Sequence, residues 1–295
     1  MVGLTKIQEK NTMKTFILAL LLTLTCTIVT ANGFDDVKIK VTKANANVYM
    51  LKGAGGNIGV LATETGLLLV DDQFAPLAEK IEKAMKGIAN KALKYVVNTH
   101  FHGDHTGSNT YFSHKAPIFA HENVRTRLSN QAEEKQVALP VVTYDKGINI
   151  YLGDEHITLS HFPSAHTDGD TIVYFNKAKV LHTGDLFFEI GFPYIDLNNG
   201  GTVKGYLAAV NKIIAQIPDN VVIIPGHGKL TNKKNYQAFA NMINFSINHV
   251  SKLLAAGKSE EEILALGIGE QYKHLSWSFI SEEKWLKTLI ADLKE

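Results

Sequence analysis

The chain reads as one α/β domain. Three observations predict this. Its 295 residues are 45% hydrophobic and 20% charged, enough for one large core containing two sheets. Short apolar, β-branched runs alternate with amphipathic stretches, so strands and helices are interleaved along the chain. Only seven prolines and no low-complexity tract leave no candidate for a disordered linker, and no internal repeat is visible by identity.

The first segment reads as a targeting signal. Lys14 precedes a continuous apolar run from Phe16 to Val29, too short for a comfortable membrane span. Val29-Thr30-Ala31 follows as a small-residue cleavage pattern, giving a signal peptide over 1–31, with Met13 a second possible start. The mature chain, 32–295, would be periplasmic or secreted, with no stable membrane association. Cleavage would remove Cys26, the only cysteine, and with it any thiol ligand or disulfide.

Residues 47–51 and 58–63 read as hairpin strands joined by Gly53-Ala-Gly-Gly. Gly66-Leu-Leu-Leu-Val-Asp-Asp is a strand ending in acid. Pro76 opens a helix to about Met85, with Gly87 at its end. Lys94-Tyr-Val-Val-Asn-Thr is a buried strand, 117–120 a short strand and 123–130 a short helix. Residues 156–162 and 171–175 read as paired strands. Thr202 caps a helix to about Gln216, stopped by Pro218, and a longer helix spans 234–255. Ser259 with Glu262 makes a capping box. The last helix, 282–294, is amphipathic, with Trp285, Leu286 and Leu289 facing the core.

The chemistry concentrates in His100-Phe-His-Gly-Asp-His105, three imidazoles and a carboxylate at the end of a strand. Alternation lets His100 and His102 point the same way, while Asp104 and His105 reach a second point in the turn. Imidazole and carboxylate suit a divalent metal without any thiol. Further ligands stand at the ends of later strand-like runs or in the loops beside them: His166 before the 171–175 run, Asp185 ending 180–185 and His227 after 221–226. Glycines beside them allow tight turns.

The ordered set, HxHxDH, a lone His, GD and GH, resembles the metallo-β-lactamase superfamily from about Val48 to His227. The resemblance implies a four-layer αββα sandwich with metals at one edge between the sheets. It implies two zinc ions, iron or manganese being the alternatives. His100, His102 and His166 would bind the first, Asp104, His105 and His227 the second, and Asp185 would bridge them. A zinc-bound water would be the nucleophile, oriented by Asp104. Asp71, with Asp72 as the alternative, would steady the ligand loop.

The details weaken a specialised β-lactamase. One lactamase subclass of the family has cysteine where this chain has Asp185, followed three positions on by a lysine; Phe188 stands there instead. The Asp185 pattern is that of glyoxalase II-like and lactonase-like hydrolases. The aromatic loop after Asp185 is expected to wall the cleft through Phe188, Phe192 and Tyr194, with Tyr194 able to donate to an oxyanion, although such rings can equally fill core. The hairpin around 53–57 would be the second wall, glycine-rich, mobile and without an aromatic tip. Lys204 could meet a substrate carboxylate but sits at a helix start, where lysine is usually solvated.

Other residues have plainer readings. His114, His121, His156, His161, His182, His249 and His274 lack ligand context and suit surface or hydrogen-bonded core. Asp168 and Asp170 suit capping of backbone amides. The helix at 234–255 suits a cover more than a lid. A net charge of +1 argues against a nucleic-acid partner and leaves a small molecule. Three functions follow: an exported zinc hydrolase of an amide, lactam, lactone or ester carbonyl; a glyoxalase II-like thioester hydrolase; and an iron-dependent oxidoreductase of the persulfide dioxygenase or flavodiiron kind. The flavodiiron pattern wants Glu in place of His102. The sequence leaves the oligomeric state open.

Overall fold

Two sheets pack face to face because each carries one row of side chains that only the other can cover. The computed structural model describes residues 33–133 and 136–294, so the expected signal peptide lies outside the described residues. From Phe34 onward the described chain is one unit.

The first sheet holds seven strands in chain order: β1 (Lys40–Asn45), β2 (Val48–Lys52), β3 (Ile58–Thr63), β4 (Gly66–Val70), β5 (Leu93–Val97), β6 (Ile118–His121) and β7 (Val142–Tyr144). β1 to β4 run antiparallel, and β4 to β7 are parallel. Parallel neighbours need crossovers, and helices supply two of them: α1 (Ala78–Ile88) between β4 and β5, and α4 (Glu122–Ser129) between β6 and β7. The crossover between β5 and β6 carries two short helices, α2 (Gly103–Thr106) and α3 (Asn109–Ser113), and with them the HxHxDH segment.

The second sheet is ordered β13-β12-β11-β10-β9-β8. Its strands are β8 (Gly147–Leu152), β9 (Glu155–His161), β10 (Thr171–Phe175), β11 (Val180–His182), β12 (Val222–Ile224) and β13 (Thr231–Asn232). The expected pairing of the 156–162 and 171–175 strands is antiparallel, with Val173 opposite Leu159. Between β11 and β12 the chain makes a parallel crossover through α5 (Val203–Gln216), capped as expected by Thr202 Oγ1 accepting from the Gly205 amide at 3.0 Å.

The layers follow from burial. Val48, Leu61, Leu68, Leu159, Val173 and Phe175 interlock between the sheets. Ile81, Met85 and Phe112 cover the outer face of the first sheet. The outer face of the second is covered by α5, α6 (Lys233–Ala255) and α8 (Glu282–Leu293), where Trp285, Leu286 and Leu289 are buried as their spacing predicts. α7 (Glu260–Leu266) begins at the Ser259/Glu262 capping box. This is the four-layer αββα sandwich. α6 is a cover, its Tyr236 hydroxyl donating to the Leu186 carbonyl at 3.1 Å. No helix among the described residues is long and apolar enough to cross a membrane.

Two local differences have physical causes. β1 is absent from the sequence reading because its edge position leaves it half exposed, with lysines breaking the apolar alternation. The helix expected to open at Pro76 begins with a 3₁₀ turn over Ala75–Leu77 before α1, closed by the Leu77 amide donating to the Phe74 carbonyl at 2.9 Å.

Candidate metal centre

All seven expected ligands converge at one edge of the sandwich, where the strands end. β5 gives way to Asn98-Thr99, and the turn into α2 delivers His100, His102, Asp104 and His105. His166 lies on the β9–β10 loop, Asp185 in a 3₁₀ turn after β11, and His227 in the loop after β12. The side chains fall into two groups whose donor atoms lie within 4.8 Å of one another: His100, His102, His166 and Asp185, then Asp104, His105 and His227.

In the first group, His102 Nδ1 stands 3.1 Å from His100 Nε2 and 2.9 Å from His166 Nε2. Asp185 Oδ2 lies 3.8 Å from His100 Nε2 and 3.5 Å from His166 Nε2. The other oxygen, Oδ1, turns to the second group, 3.1 Å from His105 Nε2 and 3.4 Å from His227 Nε2. Asp104 Oδ2 completes it, 3.4 Å from His227 Nε2 and 3.6 Å from His105 Nε2. One carboxylate therefore presents one oxygen to each group.

Two observations test whether this donor set fits a cation. His105 Nε2 and Asp185 Oδ1 are buried and have no aligned hydrogen-bond partner, despite lying 3.1 Å apart. Such orphans are costly unless something else meets them. Three imidazole nitrogens also point at one another in the first group. A shared cation satisfies both conditions, and the mix of imidazole and carboxylate suits zinc, iron or manganese.

The electrostatics agree. Burial and the neighbouring His105 push His100 well below the usual histidine range. Burial likewise pushes His166 down to about 4. Both rings are neutral, with lone pairs free. Burial also opposes charge on His105 and His227, but there the carboxylates win. Asp185, Asp104 and Asp71 raise His105 well above its usual value, while Asp185 and Asp104 raise His227 to about 9. Asp185 is held well below the carboxylate range despite burial, because His105 and His227 favour its charge.

A buried frame orients the ligands. Asp71 ends β4 in the left-handed region, φ 62°, which Asp tolerates better than most residues. Its Oδ2 lies 2.7 Å from His105 Nδ1, so the ring turns Nε2 toward the centre. The same carboxylate accepts from the Thr99 amide at 2.7 Å and hydroxyl at 2.8 Å, tying the strand end that carries His100. Asp72 instead accepts from the Ser108 amide at 2.9 Å, and its own amide donates to the His105 carbonyl at 2.9 Å. His166 Nδ1 donates to the Tyr194 carbonyl at 2.8 Å. Two glycines are required by close approach. A Cβ on Gly56 would lie 2.2 Å from the His105 ring, and one on Gly226 would lie 2.1 Å from Asp185 Oδ1.

Asp196 is the partner the sequence reading misses. Its Oδ2 lies 3.0 Å from His102 Nε2, leaving Nδ1 to face the other two rings. It stands in a loop with no period and no motif, so only the fold brings it to His102.

Beside the ligands is a cleft of about 640 Å³. Phe188 and Tyr194 line it, and Phe188 stacks on His227 with ring centres 5.1 Å apart. Phe192 does not line it. This ring is fully buried in the core, stacked near Trp285, because the chain turns inward between Phe188 and Tyr194. The glycine hairpin expected to be mobile is pinned: Gly56 N donates to Asp104 O, Asn57 Nδ2 to Pro225 O, and Gln73 Nε2 to Gly56 O. Phe74 supplies an aromatic ring on that side, and Trp277 and Phe279 close the opposite one; the sequence reading assigned none of the three. Lys204 is exposed on α5 and does not line the cleft.

Among the remaining polar residues, Asp170 accepts from the Thr167 amide and hydroxyl, as expected of a turn carboxylate. Asp168 differs: it pairs with Arg127 at 2.7 Å, a partner too distant in sequence to foresee. His182 is structural, donating through Nε2 to the Asn57 carbonyl and accepting the Gly184 amide at Nδ1.

Comparison with known proteins follows the same lines. The family model described as the Metallo-beta-lactamase superfamily matches residues 51–227, more than half of the chain. Metallo-beta-lactamase IND-1 of Chryseobacterium indologenes is 24% identical over 225 residues, covering 74% of this chain and 92% of that one. The Probable hydroxyacylglutathione hydrolase glo2 of Schizosaccharomyces pombe is 26% identical over 239 residues, covering 77% and 84%. Among solved structures, a metallo-beta-lactamase from Pontibacter korlensis superposes with a TM-score of 0.63 at 18% identity, over 70% of this chain and 99% of that one.

Proposed function

We propose, from the premise that the chain belongs to the metallo-beta-lactamase superfamily, that it is an exported two-metal hydrolase of carboxylic-acid derivatives. Membership makes it a metal-dependent hydrolase acting on a small molecule. Beyond that we propose two ions, zinc as the metal, and a lactam, lactone or ester carbonyl as the target. The observation that carries this reading is the single Asp185 carboxylate presenting one oxygen to each ligand group beside an open cleft.

Divalent ions, which His100, His102, His166 and Asp185 and then Asp104, His105 and His227 would hold, would supply an acidified water and an electrophile for the substrate carbonyl. Hydrolysis consumes one water: a C–O bond forms, the ester C–O or lactam C–N bond breaks, and a proton goes to the leaving oxygen or nitrogen. Asp104 lines the cleft and serves as acceptor for the attacking water. Tyr194 lines it too, and its hydroxyl serves as donor where charge develops on the carbonyl oxygen. Asp71 and Asp196 hold the His105 and His102 rings through the whole cycle.

A thioester hydrolase of the glyoxalase II kind is the second reading, favoured by the similarity to the Schizosaccharomyces pombe protein. The test is turnover by purified, zinc-loaded protein of four substrates: a chromogenic cephalosporin, a nitrophenyl ester, an aromatic lactone and an acyl-glutathione. Chelation is expected to abolish whichever activity is found, and zinc to restore it. Turnover that survives complete metal removal would refute the reading.

Metal loading has its own signature. Without metal at neutral pH, His105 and His227 hold protons, because the neighbouring carboxylates raise both. A cation entering the second group must displace them. Zinc titration at pH 7 is therefore expected to release protons, and apparent affinity to keep rising as pH increases through about 9, where His227 loses its proton. Calorimetry in buffers of different ionisation enthalpy measures the release; buffer-independent heats would contradict it.

A further inference from the structure

The cleft beside the ligands has an unusual composition of walls. Phe74, Phe188, Tyr194, Trp277 and Phe279 face it, and no lysine or arginine among the described residues lines it. Its charged groups are carboxylates and the histidines already assigned to the centre. Trp277 cannot offer its indole N–H to a ligand, since that group donates to the Phe192 carbonyl at 2.9 Å. The indole therefore acts as an apolar plate, its centre 6.1 Å from both Phe188 and His227 and 5.7 Å from Phe279.

Phe279 is 51% exposed, uncommon for so large an apolar ring, and it stands at the rim edge-on to Tyr194 at 5.4 Å. The Lys284 ammonium, which lies against this rim, is already engaged. It donates to the Phe279 carbonyl at 3.1 Å and lies over the Phe279 ring at 3.9 Å and the Tyr194 ring at 5.6 Å. The wall is also held in place. The Trp277 amide donates to the Ile280 carbonyl, the Phe192 amide to the Leu275 carbonyl, and the Glu282 amide to Ser276 Oγ.

Resting on the hydrolase reading above, we propose that Trp277 and Phe279 select a neutral substrate with an apolar arm, an ester or lactone carrying an aliphatic chain or aromatic ring. An anionic arm would leave water for an aromatic wall whose neighbouring ammonium, Lys284, is held on the Phe279 carbonyl and over the two rings. An apolar arm instead removes Phe279 and its own surface from water, at about three- to fourfold in affinity for each methylene buried.

The experiment compares kcat/KM for nitrophenyl acetate, nitrophenyl hexanoate and the mono-nitrophenyl ester of adipate, on zinc-loaded full chain. Hexanoate and adipate have the same length and differ in a terminal carboxylate. Hexanoate is expected to exceed both acetate and adipate by about tenfold or more. Phe279→Ala is expected to shrink the hexanoate-to-acetate ratio at unchanged metal content. Phe279→Lys is expected to move the hexanoate-to-adipate ratio toward adipate. A ratio near one in wild type, adipate as the better substrate, or ratios untouched in both variants would each overturn the proposal.

If the metal-loaded protein hydrolyses no carbonyl substrate, the hydrolase reading fails, and the wall is tested by binding alone. Trp277 is the reporter, since the other tryptophan, Trp285, is fully buried in the core. Its fluorescence is expected to respond to methyl hexanoate at concentrations at least tenfold below those needed for monomethyl adipate. An equal or reversed response would overturn the apolar selection.

Discussion

Replacing Asp185 by Asn is expected to lower kcat/KM by on the order of 10³-fold, about 4 kcal/mol of lost transition-state stabilisation. The side chain keeps its shape but loses its charge. In the native chain its two oxygens divide between the groups, Oδ2 toward His100 and His166, Oδ1 toward His105 and His227. An amide can present an oxygen to only one of these and must turn its NH₂ to the other. Bound metal is therefore expected to fall from two ions toward one, measured by elemental analysis on the same sample used for kinetics. The fold should survive, because the layers depend on apolar burial away from this edge. A folded Asp185→Asn variant that keeps two ions and full activity would remove the bridging role. His100→Ala extends the same test to the first group alone.

How much of this centre is legible in the sequence depends on where each residue gets its neighbours. His100, His102, Asp104 and His105 are neighbours along the chain, and strand alternation followed by a turn already divides them into two directions. Asp185 ends a strand-like run, and His166 and His227 lie in the loops beside such runs, so their arrival at one edge follows once the strands share sheets. Asp196 carries no such mark. It meets His102 across 94 positions, and nothing in its own segment distinguishes it from a solvated loop carboxylate. The cleft wall is obscure for a related reason. Phe188, Phe192 and Tyr194 share one aromatic loop, yet Phe192 is core and the other two line the cleft, a division set by how the loop turns against α8. Trp277 and Phe279 sit in an irregular stretch where neither helical nor strand period assigns a face. The glycine hairpin misleads in the opposite sense. Glycines suggest freedom, but Gly56 is required because the His105 ring leaves no room for a Cβ.

The second large effect is expected from Asp71→Asn, at a residue that is no ligand in any reading. Asp71 is fully buried and supports three groups at once: His105 Nδ1, the Thr99 amide and the Thr99 hydroxyl. Asn suits its left-handed backbone, so local conformational strain is not the cause of any loss. The amide can keep one acceptor, and its NH₂ must then face either Thr99 or His105. Facing His105, it meets a ring nitrogen that ordinarily donates, so His105 must change tautomer and offer its Nε2 proton to the metal position. Facing Thr99, it leaves the Thr99 amide without its acceptor. Either outcome weakens the second ligand group, at about 10- to 100-fold in metal affinity, the usual scale for partners of metal-bound histidines. Breaking a buried charged pair also costs about 3–5 kcal/mol of stability, read as a lowered denaturation midpoint in the metal-free protein. Because the first group does not touch Asp71 except through the Thr99 strand end, one ion should remain tightly bound while the second becomes easy to strip with a weak chelator. Uniform loss of both ions would instead make Asp71 a support for the whole strand end, and unchanged affinity at both would leave His105 oriented by the packing around it.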